Sequence, residues 1–476
     1  MLHIDGNSLS IKDVLSVSRG HEPIQLTPEA RDKITTSREW VENIIHTGKP
    51  VYGINTGFGA FAAHQISPSD SQDLSRNLIL SHAVGTGQPL SEEIVRAALL
   101  IRANTLAKGH SGVRLTVVNT LLEMLNKGVT PIVPAQGSLG SSGDLAPLSH
   151  LALVLTTDEQ DLEEESGWAI YNDERLRGKT AMQAAGIERI ILESKEGLAI
   201  TNGATFSAAI GALVCGDAAN LLSAANIALG MSLEAMLGVS SAYDPRIHDA
   251  RQHPGQIAVA KKVRQLTRGS TLLDSSQKIQ DAYSLRCAPQ VHGPVIETLT
   301  FAEKIIHREI NAATDNPLLF DKQTALSGGN FHGEPIGLAM DYLSIGLTEI
   351  AGIAERRIFR LTDSHLNADL PPMLVDTPQD AGLHSGMMMP QYTAASLVLE
   401  NRSLASPDST NSLPTSAEQE DHNANSMTAA RHTRDIVSNT THVIAIEIYT
   451  AARALDLRLR DTPEADLGQG DRKSVV

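Results

Sequence analysis

The chain has few of the residues that most alternative classes need. Two cysteines, Cys215 and Cys287, occur in 476 residues, too few for a disulfide framework or a cysteine-built metal site. Aromatic residues make up 3%, which disfavours β-sandwich strands. The 41% hydrophobic fraction is dominated by Leu and Ala, as suits long packed helices. Lys and Arg number 39 against 55 Asp and Glu, a formal charge of −16. That balance argues against nucleic acid and anionic membranes as partners, because both select clustered cations. The first residues, Met1 to Ser8, lack the basic and apolar regions of a secretory signal. The most apolar stretch, 205 to 242, is interrupted by Asp217 and Glu234, so it reads as a buried central helix and not a membrane span. The expectation is a cytoplasmic, small-molecule protein with no metal.

What is present divides the chain in two. Residues 1–203 mix short elements with helices, and Gly- and Pro-containing runs at 49 to 60 and 131 to 147 break any long period. Ser91 is placed to cap a helix whose first turn carries Glu92 and Glu93, with Gly109 as its stop. The acidic run from Asp158 to Glu165 reads as a solvated turn. From 204 to 476, apolar residues recur at three and four spacing over 291 to 312, 335 to 361 and 428 to 457, which predicts helices of bundle length. Pro371-Pro372 and the polar run Ser403 to Pro414 are expected breaks, and the segment from Asp461 reads as a polar tail. The predicted fold is mainly α, a long central helical bundle with a smaller, mixed, loop-bearing N-terminal domain.

The segment Gly137 to His150 carries unusual chemistry in its backbone. A Ser between small residues, followed by Gly, is suited to cyclisation. The Gly143 nitrogen can attack the Ser141 carbonyl only if the backbone bends sharply, and Gly lacks the Cβ that would oppose the approach. Loss of two waters would then leave Ser142 as an electrophilic exocyclic alkene. Most Gly/Ser clusters are merely turns. A Walker-type phosphate cradle is excluded because no Lys lies between Pro134 and Arg175. The Gly-Ser-Ser loop of the fumarase and aspartase class needs a following Lys and Asn that this chain lacks.

This segment resembles the signature of the aromatic amino acid ammonia-lyases, which build a methylidene-imidazolone (MIO) group from an Ala-Ser-Gly triplet. Here the triplet is Ser141-Ser142-Gly143, and Ser141 in place of Ala contributes mainly its carbonyl to the ring. Five further blocks resemble the family in its own order: Val51 to Gly59, Gly197 to Gly203, Gln280 to Arg286, Thr314 to Pro317 and Gly328 to Pro335. Together with the segments below they run from about residue 50 to about 430, which chance does not plausibly produce. The resemblance implies a fumarase/aspartase-like helical architecture and a homotetramer whose active sites combine several subunits. It implies an autocatalytic MIO with no metal and no external cofactor. Ser142 and Tyr283 would be catalytic, with Tyr52 as the base that takes the β-proton, a phenol that its surroundings must activate. Arg286 would anchor the substrate carboxylate with its planar, always charged fork. Asn202 and Gln280 would hold polar groups of the substrate or ring, and Phe331 would wall the pocket. Taken singly, Arg286 could be a surface ion-pair partner and Tyr283 or Tyr52 a packed aromatic.

Specificity is expected from Leu80-Ser-His82-Ala, which resembles the version of this pocket found in family members acting on histidine; tyrosine enzymes can also carry His there. A site built for imidazole rejects a plain phenyl ring by roughly 10⁴-fold, because its buried polar groups are left unpaired. A lone His is more often structural, and this chain has 17. The second determinant lies in Pro414 to Met427, two residues longer than the usual histidine-enzyme pattern. Aligned from the left, Glu420 binds the imidazole; aligned from the right, His422 does, and the intact Gln-Glu-Asp-His favours Glu420. The implied reaction is elimination of ammonia from L-histidine to trans-urocanate. The alternative is a tyrosine or phenylalanine ammonia-lyase or aminomutase.

Overall fold

A computed structural model describes residues 1–48, 50–57, 59–61 and 63–470. Phe58 of the Val51 to Gly59 block and residues 471–476 of the expected polar tail lie outside the described residues. The protein is mainly α-helical. Its described strands are two to four residues long and pair only in two- and three-stranded groups. The best formed is the antiparallel hairpin Trp168–Tyr171 with Glu174–Arg177, in the register Trp168 opposite Arg177. Asn172 and Asp173 turn it with φ of 50° and 64°, the left-handed pair that a two-residue hairpin requires.

The chain forms two compact units, each discontinuous in sequence. The first comprises Met1–Gly216, Glu303–Met340 and Pro407–Arg431; the second comprises Asp217–Ala302, Asp341–Ser406 and His432–Val476. Four helices position the site in the first unit: α1 (Ser71–His82), α2 (Glu92–Ala107), α3 (Leu145–Leu155) and α4 (Glu196–Thr201). The α2 helix begins at Ser91 in extended conformation, and Gly109 follows its end at φ +77°. Nearly every residue of α2 is buried, Arg96 and Arg102 included.

Four long helices make the bundle: α5 (Thr205–Ala235), α6 (Ala288–Glu309), α7 (Glu334–Thr362) and α8 (Ser426–Asp461), of 22 to 36 residues. α6, α7 and α8 match the sequence periodicity to within a few residues at each end. From the four helices, side chains Leu229, Leu233, Ala288, Leu361 and Leu455 meet in the core of the second unit with Tyr243 and Val259. α5 stops earlier than the 242 expected from hydrophobicity. Leu237 takes a left-handed φ of 52°, with Gly238 N donating to Leu233 O at 2.8 Å and Leu237 N to Glu234 O at 3.1 Å. This is the double hydrogen bond of a Schellman stop, which satisfies carbonyls that a helix end leaves open. α5 and α7 are long and apolar enough to cross a membrane by length and composition, yet both are mostly buried inside the protein. The buried Arg357 reaches Glu447 at 2.5 Å, and Glu447 also accepts from Ser232 at 2.7 Å. That joins α5, α7 and α8 within the second unit.

Candidate active site

The Ser-rich segment runs directly into the first turn of α3, with Asp144 at the N-cap position. Its triplet is gripped by a second segment, Asn202 to Ser207, that links α4 to α5. Gly203 N donates to Ser142 O at 3.1 Å, Asp144 N donates to Gly203 O at 2.9 Å, and Ser207 N donates to Asp144 Oδ2 at 2.8 Å. The two strands of backbone touch so closely that a Cβ on Gly143, at φ +77°, would lie 2.0 Å from the Gly203 carbonyl carbon. Only glycine fits there. With its amide oriented to satisfy its neighbours, Asn202 donates Nδ2 to Ser142 O at 2.9 Å and accepts from Asn316 N at 3.0 Å. The start of α8 closes the bend from another side, Asn425 N donating to Leu139 O at 2.7 Å.

A layer of buried charge supports this backbone. Arg102 donates to the Asn202 carbonyl and lies 3.5 Å from Thr314 Oγ1. Lys195, immediately before α4, meets Asp315 at 2.5 Å with both side chains fully buried. Burial brings the Arg102 guanidinium down to about 10 against the opposing fields of Asp315 and Asp144. Burial likewise pushes the Asp144 carboxyl up, countered by hydrogen bonds from Ser207 and Ser138. Sequence reading singled out neither Arg102 nor Lys195. The available signal for Arg102 was a guanidinium inside the apolar run of α2, which a folded protein tolerates only when the charge is partnered.

One cavity of about 1180 Å³ opens over the triplet. Of the sequence-predicted residues, Tyr52, His82, Ser141, Ser142, Asn202, Phe331 and Glu420 all line it, and His422 does too. The carboxylate of Glu420 faces the triplet directly. Its Oε1 accepts from Ser142 Oγ at 2.7 Å, its Oε2 accepts from Ser141 Oγ at 2.9 Å, and Thr415 Oγ1 donates to Oε2 at 3.2 Å. Thr415 and Glu420 pair across a tight turn whose Ser416, Ala417 and Glu418 all have left-handed φ. His422 instead stacks on His332 at 5.9 Å, its carbonyl 3.1 Å from His332 Nε2. His82, at the C-terminal end of α1, sits 3.0 Å from Ser81 Oγ through Nδ1. Burial holds its imidazole below the ordinary value, opposed by the Leu78 backbone and the charge of Glu420. Tyr52 OH accepts from Gly59 N at 3.4 Å.

Gln280, Tyr283 and Arg286 are not among the cavity's lining residues and belong to the second unit. Gln280 is exposed, and Tyr283 is 70% exposed at the start of the short helix Tyr283–Arg286. The Arg286 guanidinium lies 4.6 Å over the Tyr283 ring. Among the described residues, no group of three His, Cys, Asp or Glu is placed to hold a metal ion.

Comparison with known proteins places this architecture. The family model described as aromatic amino acid lyase matches residues 9–474. The chain belongs to that family. The histidine ammonia-lyase of Caldanaerobacter subterraneus subsp. tengcongensis is 50% identical over 458 residues, covering 96% of this chain and 88% of that protein. Among solved structures, histidine ammonia-lyase from Trypanosoma cruzi is 40% identical with a TM-score of 0.87, covering 96% of this chain and 85% of that one. Tyrosine aminomutase from Streptomyces globisporus is 37% identical with a TM-score of 0.90, covering 96% and 88%. Membership of the aromatic amino acid lyases makes the chain a carbon–nitrogen lyase, and it accounts for the long bundle and for the glycine-bounded serine at the cavity.

Proposed function

We propose that this chain is a histidine ammonia-lyase, converting L-histidine to trans-urocanate and ammonia in the cytoplasm on an MIO group formed from Ser141-Ser142-Gly143. The observation that carries the substrate is the pairing of a carboxylate, Glu420, with an imidazole, His82, on the wall of the cavity that holds the triplet. An imidazole ring offers one donor and one acceptor, and this pair can meet both. A phenyl side chain would leave both unpaired. The glycine-only contact at Gly143 and the two donors on the Ser142 carbonyl support cyclisation at this place. The group, once formed, supplies an electrophile at the former Ser142 side chain, next to the N-terminus of α3, where developing negative charge is favoured.

The chain's own residues do the rest. Tyr52 takes the β-proton, the C–H electron pair becomes the double bond, and the amine departs with the C–N pair. Phe331 walls the cavity, Asn202 fixes the triplet carbonyl, and burial keeps His82 neutral at pH 7 so that it can hydrogen-bond the substrate ring without repelling its cationic form. Arg286, Tyr283 and Gln280 complete the site of another copy, in a homotetramer with shared active sites. The exposure of Gln280 and Tyr283 supports this. A tyrosine-acting ammonia-lyase or aminomutase is the second reading, favoured by the likeness to tyrosine aminomutase.

Supplying histidine, tyrosine and phenylalanine separately, with product absorbance followed, separates the readings. The wild type is expected to turn over histidine predominantly, and His82→Leu to lose histidine activity far more than any trace on phenylalanine. Turnover of tyrosine in preference to histidine would replace the first reading by the second.

A further inference from the structure

The triplet departs from the family's Ala-Ser-Gly at its first position, and the extra hydroxyl is bonded. Ser141 is nearly buried, at 8% exposure, and its Oγ lies 2.9 Å from Glu420 Oε2, while Ser142 Oγ lies 2.7 Å from Oε1 of the same carboxylate. Ring formation treats these two hydroxyls differently. The bond that forms joins Gly143 N to the Ser141 carbonyl carbon. The first water carries away that carbonyl's oxygen with the amide hydrogens of Gly143 and Ser142. The second carries away Ser142 Oγ with its own proton and the Ser142 α-proton. Ser141 Oγ takes no part and survives.

We propose that Ser141 is a positioning residue for substrate specificity: its hydroxyl pins Glu420 Oε2 after cyclisation has stripped the Ser142 hydroxyl from Oε1, leaving one carboxylate oxygen held and the other turned free to the substrate ring. This inference rests on the reading that Glu420 faces the imidazole. Thr415 Oγ1, at 3.2 Å, is the second anchor on Oε2. The turn that carries Glu420 gives a reason for such a tether. Three successive non-glycine residues, Ser416 to Glu418, hold left-handed φ between 52° and 66°, a conformation that persists only where surrounding contacts fix it. With the Ser142 hydroxyl gone, an Ala at 141 would leave only the longer Thr415 contact on the carboxylate. A carboxylate free to rotate binds a planar ring with a larger loss of side-chain freedom.

The test is a double-mutant cycle on the purified enzyme using Ser141→Ala, Glu420→Gln and both together, with intact mass, histidine kinetics and calorimetric binding of trans-urocanate as readouts. Ser141→Ala is expected to show the same two-water mass loss as the wild type and to bind urocanate about 10-fold more weakly, the loss of one charge-assisted hydrogen bond. KM for histidine should rise in proportion, and Ser141→Thr should restore both. In the Glu420→Gln background, the Ser141→Ala change should have a much smaller effect, because the two residues act as one unit. Additive losses in the cycle, or urocanate affinity unchanged in Ser141→Ala, would overturn the positioning role while leaving the substrate assignment intact. Unchanged urocanate and histidine affinity in Glu420→Gln would overturn both together. Incomplete water loss in Ser141→Ala would reassign the hydroxyl to ring formation and also overturn the proposal.

Discussion

The two compact units bury ion pairs of similar geometry for different ends. In the second unit, Arg357 and Glu447 meet at 2.5 Å with both side chains fully buried, and the partners around them, Ser232 and the Ser284 carbonyl, belong to helices or their immediate flanks. That pair fixes how α7 and α8 pack in the bundle. In the first unit, Lys195 and Asp315 are just as close and as buried, but they tie the start of α4 to the turn that carries Asn316, the partner of Asn202. There the buried charge holds irregular backbone, and the backbone holds the serine triplet at the cavity. A buried pair is weak evidence for stability in itself, because desolvation offsets much of the attraction. What it reliably does is penalise any arrangement that separates the partners, and that serves a helix interface in one unit and a bent loop in the other.

The sharpest way to separate the two roles begins at the serine. Ser142→Ala is expected to abolish nearly all turnover and the two-water mass loss while leaving the thermal transition close to that of the wild type. Wild-type rates in that variant would remove the cofactor assignment. Next come the pairs themselves. Arg357→Ala and Lys195→Ala should each cost about 3–5 kcal/mol of stability, since each leaves an uncompensated buried charge. Only Lys195→Ala should also lower the fraction of folded protein whose intact mass shows water loss. An equal fraction in both variants would erase the distinction between the units.

The smallest effect is a pH slope. Complete burial and the nearby Arg357 hold His292 well below its ordinary value, its Nδ1 3.0 Å from Asn226 Oδ1 in the second unit. Unfolded, this histidine takes a proton near pH 6.5; folded, it stays neutral to much lower pH. The unfolded state therefore binds more protons below about pH 6.5, and stability falls on acidification by up to about 1.4 kcal/mol per pH unit for this one group. Between pH 6.5 and 5, His292→Asn should flatten the decline in denaturant midpoint. An unchanged slope would mean that other groups, such as His82 and His150, whose imidazoles burial also depresses, carry the dependence.

Much of the bundle was legible because its physics is periodic. Helices α6, α7 and α8 announce themselves by apolar residues at three and four spacing, and long helices tolerate errors of a few residues at their ends. The end of α5 was not legible, because Leu237 and Gly238 stop it through backbone hydrogen bonds with no distinctive residue ahead of them. The site divides in the same way. Ser142, Gly143, Tyr52 and His82 stand in compact motifs whose chemistry depends on immediate neighbours. Glu420 and His422 could be exchanged by reading the segment from either end, and only the turn from Thr415 to Glu420 puts one carboxylate against both serines and stacks the imidazole on His332.

By itself, then, the amino-acid order determined long helices and a serine followed by glycine, since helix periodicity and the steric freedom of Gly143 are local properties, and its motifs carried the resemblance to a lyase family. The tertiary fold alone decided which side chains face that serine, and that Gly143 must lie against Gly203. It also decided that Arg102, Lys195 and Asp315 hold up the loop from behind. Those relations join residues up to 279 positions apart, and the energies that select them, desolvation and close packing, exist only once the chain has folded.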